Sequence, residues 1–299
     1  MNPAPLDPTD LALVRLLQHD GRTSYETLAA RIGLSRAATR ARVRRLQEDR
    51  VVRIVGIVHP AVLGRTVCAH VALAVNGPAA PTARALAALP EAVFVTLTAG
   101  RRPIVAELRT ESFDALSALL ADVSRLPGVR EVDTTPYTRV AKDPYLPADA
   151  PAAVDLDATD HALMQALQAD GRTSYADLAE RVGMSPAAAR ARSLRLLEAG
   201  MLRVVALTSP GAVGLGYLAG FALRRSGTGP DVARLVAAET VQFAAECVGR
   251  ADLIGTVGGA SLPDVLTALE ELRSAPGVHA LESWLHLELV KERYDSTAR

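Results

Sequence analysis

At 299 residues the chain has room for two or more domains, and with 49% of its residues apolar it falls outside the disordered classes. A formal net charge of zero gives no overall attraction for a polyanion. The two cysteines, Cys68 and Cys247, each within an apolar stretch, are too few for a disulfide framework or a four-cysteine zinc site, and no apolar run reaches membrane-spanning length. Residues Met1 to Asp10 have neither the basic start nor the apolar middle of a secretory signal, and buried thiols suit a reducing compartment, so the expected location is the cytoplasm.

Leu6-Asp7-x-x-Asp10 opens a first predicted helix, whose Leu13, Leu16 and Leu17 form an apolar face. A second short helix spans Ser24 to Ile32, and Gly33-Leu34-Ser35 makes a tight turn. Ser35 is a natural N-cap for a third helix. Thr39, Val43 and Leu46 repeat at i, i+4 and i+7 and set a narrow stripe into a core. The opposite side carries Ala37, Ala41 and Arg44, flanked by Arg40 and Arg45. Small residues let a helix enter a groove, and guanidiniums pair with phosphates or guanine edges. For an isolated helix, a merely solvated basic face explains the same pattern. Helix, helix, Gly-containing turn and basic helix is, however, the helix-turn-helix order, and the β-branched run Val51–Val58 suits a wing strand. The neutral total conceals ten arginines against six acids between Leu6 and Val55.

The following segment reads as strand Thr66–Val75, helix Pro81–Leu89, strands Val93–Thr98 and Ile104–Arg109, helix Ser112–Arg125 and strand Val129–Val140. That is the split βαβ, ferredoxin-like pattern. Asp143 to Pro151 carries three prolines and no periodicity, as a linker would. The chain then begins again. Asp20-Gly21-Arg22-Thr23-Ser24-Tyr25 recurs unchanged as Asp170-Gly171-Arg172-Thr173-Ser174-Tyr175, and the Leu6-Asp7-x-Thr9-Asp10 opening returns at Leu156. The later elements follow in the same order at Tyr217–Arg224, Pro230–Glu239, Val241–Cys247, Leu253–Val257, Ser261–Ser274 and Val278–Val290. The predicted fold is α+β. Two winged helix-turn-helix domains (1–60 and 156–210) alternate with two ferredoxin-like βαββαβ domains (61–142 and 211–299) about a Pro-rich linker (143–155).

The L-D-x-x-D opening, the D-G-R-x-S-Y-x-x-L-A stretch, G-L-S and the basic helix together resemble the Lrp/AsnC transcriptional regulators, and the βαββαβ unit resembles their effector-binding domain. The resemblance runs over nearly the whole chain, twice. It implies a partner in double-stranded DNA, an amino acid or related small metabolite as effector, no catalysis and no cofactor. A tandem fusion, where a single unit is usual, implies a pseudo-dimer within one chain, with two chains associating further.

Transferred by residue, the resemblance places DNA contacts at Ser35, Arg36, Ala37, Ala38, Arg40, Ala41, Arg44 and Arg45, with Arg42 pairing instead to a carboxylate of its own domain. In the second copy they fall at Ser185, Arg190 and Arg195, but Pro186 and Leu194 replace two arginines. The arginine excess over acids drops from four to none, so the first copy is the stronger reader. The resemblance places effector contacts on the turn between the central strands, at Gly249, Arg250, Asp252 and Leu253, and at Gly100 and Arg101 in the first copy, where Pro103 stands in place of the acid. The second copy is then the likelier host for a free amino acid. The plainer alternative is that the glycines permit a turn and Asp252 steadies it.

The six histidines show no metal-ligand spacing and no catalytic fingerprint appears, so no metal is expected. Two other readings stay open: an enzyme resembling the siroheme decarboxylases, which are themselves Lrp-like, and an architectural DNA protein with little sequence preference.

Overall fold

The computed structural model describes residues 6–146, 151, 155–208, 210–226 and 231–292. Most of the predicted linker, and the start of the helix expected from Pro230, lie outside them. In the first repeat the elements are α1 (Pro8–His19), α2 (Tyr25–Ile32), α3 (Arg36–Glu48), β1 (Val52–Val58), β2 (Val67–Val75), α4 (Ala79–Ala87), β3 (Ala92–Ala99), β4 (Ile104–Thr110), α5 (Phe113–Ser124) and β5 (Val129–Lys142). The second gives α6 (Ala158–Ala169), α7 (Tyr175–Val182), α8 (Pro186–Glu198), β6 (Leu202–Thr208), β7 (Tyr217–Arg225), α9 (Val232–Val236), β8 (Val241–Cys247), β9 (Leu253–Gly259), α10 (Leu262–Arg273) and β10 (Val278–Glu292).

Like joins with like. Residues 1–62 and 145–216 make one compact unit, and 63–144 with 217–298 make another. In the first unit, the strand read as a wing pairs with its own copy. β1 and β6 run antiparallel, and Val55 sits opposite its equivalent, Val205. The helices cross over this ribbon: α1 packs on β6 and α6 on β1. The first helix-turn-helix core therefore borrows Val204 and Ala206 from the second repeat to cover Leu13, Leu17, Leu28 and Val43. The two helix-turn-helix domains pack on the shared ribbon as a pseudo-symmetric pair.

The repeated hexapeptide explains its own repetition. A Cβ on Gly21 would stand 2.8 Å from Ile54 Cγ2, and one on Gly171 2.5 Å from Val204 Cγ1, so both sites need glycine. That close approach lets the Gly21 amide donate to Val204 O at 2.8 Å and the Gly171 amide to Ile54 O at 2.9 Å. Arg22 then reaches across to the carbonyl of Gly171 at 2.7 Å, and Arg172 to that of Thr23 at 2.7 Å.

In the second unit each repeat forms a four-stranded sheet with its helices on one face. α4 and α5 cover Val71, Leu73, Val95 and Leu108, while α9 and α10 cover Phe221, Leu223, Val257 and their neighbours. The two sheets join at both edges, β5 to β8 and β10 to β3, so eight strands close on themselves and no edge is left open. The closure is carried by the long last strand of each repeat. α9 is shorter than its predicted span: Lys142 Nζ donates to the carbonyls of Val236 and Ala238, at 2.9 and 2.8 Å, and ties off the helix end.

Candidate nucleic-acid interface and effector cleft

Ser35 caps α3, its hydroxyl accepting the Ala38 amide at 3.2 Å, and Thr39, Val43 and Leu46 are buried as the spacing predicts. Arg36, Ala37, Arg40, Ala41, Arg44 and Arg45 are exposed, and Ala38 is half-buried. In the second copy Ser185 caps α8 through the Ala188 amide, and Arg190 and Arg195 are exposed.

The exposed arginines differ in what they already touch. Arg42 bonds Asp7 and Asp10, both at 2.8 Å, as expected for a residue turned toward its own domain. Asp7 also caps α1, accepting the Asp10 amide, and the Arg42 guanidinium holds its carboxyl below the usual range. Arg45, expected on the reading face, is also claimed by Asp10. Asp10 is a buried carboxylate, 3% exposed, so its charge is tolerable only between two guanidiniums. Asp160 repeats this with Arg192 and Arg195. Arg45 and Arg195 thus serve first to lock the basic helix onto its domain. The L-D-x-x-D motif is the matching half of that lock. Arg44 pairs with Glu48 at 2.8 Å one turn on. Arg36, Arg40 and Arg190 are exposed and have no ion pair among the described residues.

In the effector unit the turn glycines take left-handed φ, +138° at Gly100 and +114° at Gly249, which side chains rarely adopt. Two of the expected contacts lie elsewhere. Leu253 is fully buried in the core beneath α9 and α10. Asp252, at the bend before β9, accepts the Arg225 amide on Oδ2 at 2.7 Å and steadies the turn. Gly100, Arg101 and Arg250 do meet, in a cleft of about 50 Å³ within the closed sheet, together with His70, Arg102 and Trp284. The second copy was expected to be the likelier host; the cleft draws its lining from both repeats.

Two ion-pair chains brace it. Arg102 reaches Glu131 at 2.9 Å and Asp133 at 3.0 Å, and Arg250 reaches Asp133 at 2.9 Å and Glu282 at 2.7 Å. His70 lies 5.4 Å from the Trp284 ring, and burial, with Arg250, His286 and Arg102 nearby, pulls its pKa down to about 3. His286, half-buried edge-on to Phe94, is pulled down by desolvation to about 4. His70, Arg102, Glu282 and Trp284 were not singled out by motif. The available signal was weak: a lone histidine in the apolar run of β2, and the one tryptophan of the chain.

The AsnC-type helix-turn-helix model matches residues 6–47 and again 156–197, and the Lrp/AsnC ligand-binding domain model matches 66–147. A helix-turn-helix transcriptional regulator of Pyrococcus abyssi is 31% identical over 143 residues, covering 47% of this chain and 90% of the relative. The regulator LrpA of Mycobacterium tuberculosis is 35% identical over 137 residues, covering 45% of this chain and 91% of the relative. Along nearly its whole length the chain resembles the crystal structure of the siroheme decarboxylase NirDL, with a TM-score of 0.65 over 95% of this chain and 93% of that one. At 15% identity, that likeness speaks to the fold alone.

Proposed function

The chain belongs to the Lrp/AsnC family, and on that footing we propose a cytoplasmic, sequence-specific DNA-binding transcriptional regulator that reads duplex DNA chiefly through α3 and responds to an amino acid or related small metabolite. The observation that carries this is the free, exposed pair Arg36 and Arg40 on a capped helix whose other side is locked to Asp10. A pinned helix with unpaired guanidiniums on its outer face can take phosphates without first breaking internal bonds. α8 offers Arg190 but has Pro186 and the half-buried Leu194 where α3 has arginines, so it grips more weakly.

Two chains pair further in this reading. Phe113 on α5 and Leu262 and Leu266 on α10 are exposed apolar side chains on the outer helices, and a second copy would bury them. Retention of genomic fragments in a gel, followed by footprinting, tests DNA reading; a protected, sequence-defined site is expected, and fragment-independent binding would favour the architectural role.

A decarboxylase is the second reading, favoured by the shared fold and by the buried His70 and half-buried His286. Against it stand the relatives at 31% and 35% identity, which are transcriptional regulators, whereas NirDL shares the fold at 15% identity. Addition of iron-uroporphyrin should leave the visible spectrum of that pigment unchanged; a saturable shift would revive the enzyme.

A further inference from the structure

The cleft in the effector unit is built differently on its two sides. Strand register places His70 opposite Thr135 on one side and Gly220 opposite Trp284 on the other. His70 and Gly220 hold equivalent positions in the two repeats, 150 residues apart. A Cβ at 220 would stand 2.1 Å from Trp284 Cε2, so the indole lies where only glycine permits it. A second histidine cannot coexist with Trp284, and the duplicated domains present one such cleft arrangement instead of two.

Its polar groups are unmatched. His70 is 6% exposed and neither ring nitrogen has a partner, and the buried Nε1 of Trp284 has none. Such groups persist where something else supplies their bonds. A neutral histidine offers one donor and one lone pair, and an indole offers one donor. Three arginines and a single acid, Glu282, line the cleft, and Glu282 is taken by Arg250. Arg101 has no ion pair among the described residues. An ammonium would meet three guanidiniums, and the nearby acids, Glu282 and Asp133, are already ion-paired to Arg250 and Arg102. A carboxylate with an adjacent carbonyl or hydroxyl oxygen would find a cation and two buried donors. By the water-sized measure the interior admits roughly three to five non-hydrogen groups, so a ligand held by the exposed Arg101 lies partly at the mouth.

We propose that this cleft binds one small 2-oxo or 2-hydroxy carboxylate per chain, its carboxylate on Arg101 and its neighbouring oxygen on Trp284 and His70. The proposal takes from the effector reading only its consequence for DNA. Trp284 is the chain's one tryptophan, so its emission reports the cleft directly. The full-length protein is titrated with pyruvate and glycolate, and with L-alanine as a size-matched amine.

Pyruvate or glycolate should change the emission saturably, with one molecule per chain by calorimetry, and alanine should not. Arg101→Ala, at a solvent-facing site, should weaken the response about tenfold or more, the loss of one charged hydrogen bond. No response to either acid, saturation by alanine alone, two molecules per chain, or an unchanged response in Arg101→Ala would overturn the proposal. Gel retardation separates the two ideas. DNA affinity that shifts with an amino acid while Trp284 stays silent would keep the effector reading and reject this site. A saturated Trp284 with unchanged DNA affinity would keep the site and reject the effector reading.

Discussion

Arg22 lies over the ring of Tyr175, its guanidinium carbon 4.6 Å from the centroid, and Arg172 lies over Tyr25 at 4.4 Å. Each arginine also bonds backbone carbonyls of the opposite repeat, so the two helix-turn-helix domains hold each other through reciprocal copies of one hexapeptide. Arg22→Ala should cost about 2 kcal/mol, from a cation–π contact and charged hydrogen bonds at a half-buried site. Arg22→Lys should restore little, because an ammonium cannot span two carbonyls while lying flat on a ring. Urea denaturation followed by far-UV circular dichroism checks both. A lysine variant as stable as the parent would show that charge alone matters.

Asp10→Ala leaves Arg42 its bond to Asp7 but releases Arg45. Removing one member of a buried ion cluster typically costs about 3–5 kcal/mol, and the low end is expected because both guanidiniums can turn to solvent. Asp160→Ala should behave alike in the second copy. Thermal melting of each variant measures the loss, and a change within error would mean that the lock contributes nothing.

The effector unit should weaken on mild acidification. His70 is buried and His286 half-buried, with folded pKa values near 3 and near 4, below the ordinary 6.5. Between those limits the unfolded chain takes up protons that the folded one refuses. Stability is therefore whole above about pH 6.5 and falls as pH drops, by up to about 1.4 kcal/mol per unit for each histidine. Urea unfolding followed by Trp284 emission at pH 7.5 and 5.5 should show the difference, and His70→Gln should remove about half of it. A pH-independent midpoint would refute the sign.

Most of the fold was legible because it is local. Caps at Ser35 and Ser185, the stripe at Thr39, Val43 and Leu46, and the alternation of strands and helices all act within a few residues, and the structure realises them where the spacing puts them. What escaped is what the duplication makes non-local. Nothing near Val51–Val58 says that its partner lies 150 residues away, and nothing near Arg45 says that a buried aspartate across the domain holds it. The cleft was half-visible: Gly100, Arg101 and Gly249 advertise turns, whereas His70 and Trp284 acquire meaning only when the sheet closes and brings them to 5.4 Å. Asp252 had two readings in the sequence, ligand group or turn acid, and its bond to the Arg225 amide accords with the second.

The claim on which the account depends is that α3 enters the duplex groove with Arg36 and Arg40 free to contact it, and that α8 is the lesser reader. The direct measurement is operator affinity against salt concentration for the parent, Arg36→Ala with Arg40→Ala, and Arg190→Ala. Each lost phosphate contact lowers the logarithmic salt slope by about 0.9, so the double variant should lose roughly two such steps and nearly all retention, and Arg190→Ala about one. Equal losses in the two copies, or a double variant that binds as the parent does with an unchanged slope, would contradict it.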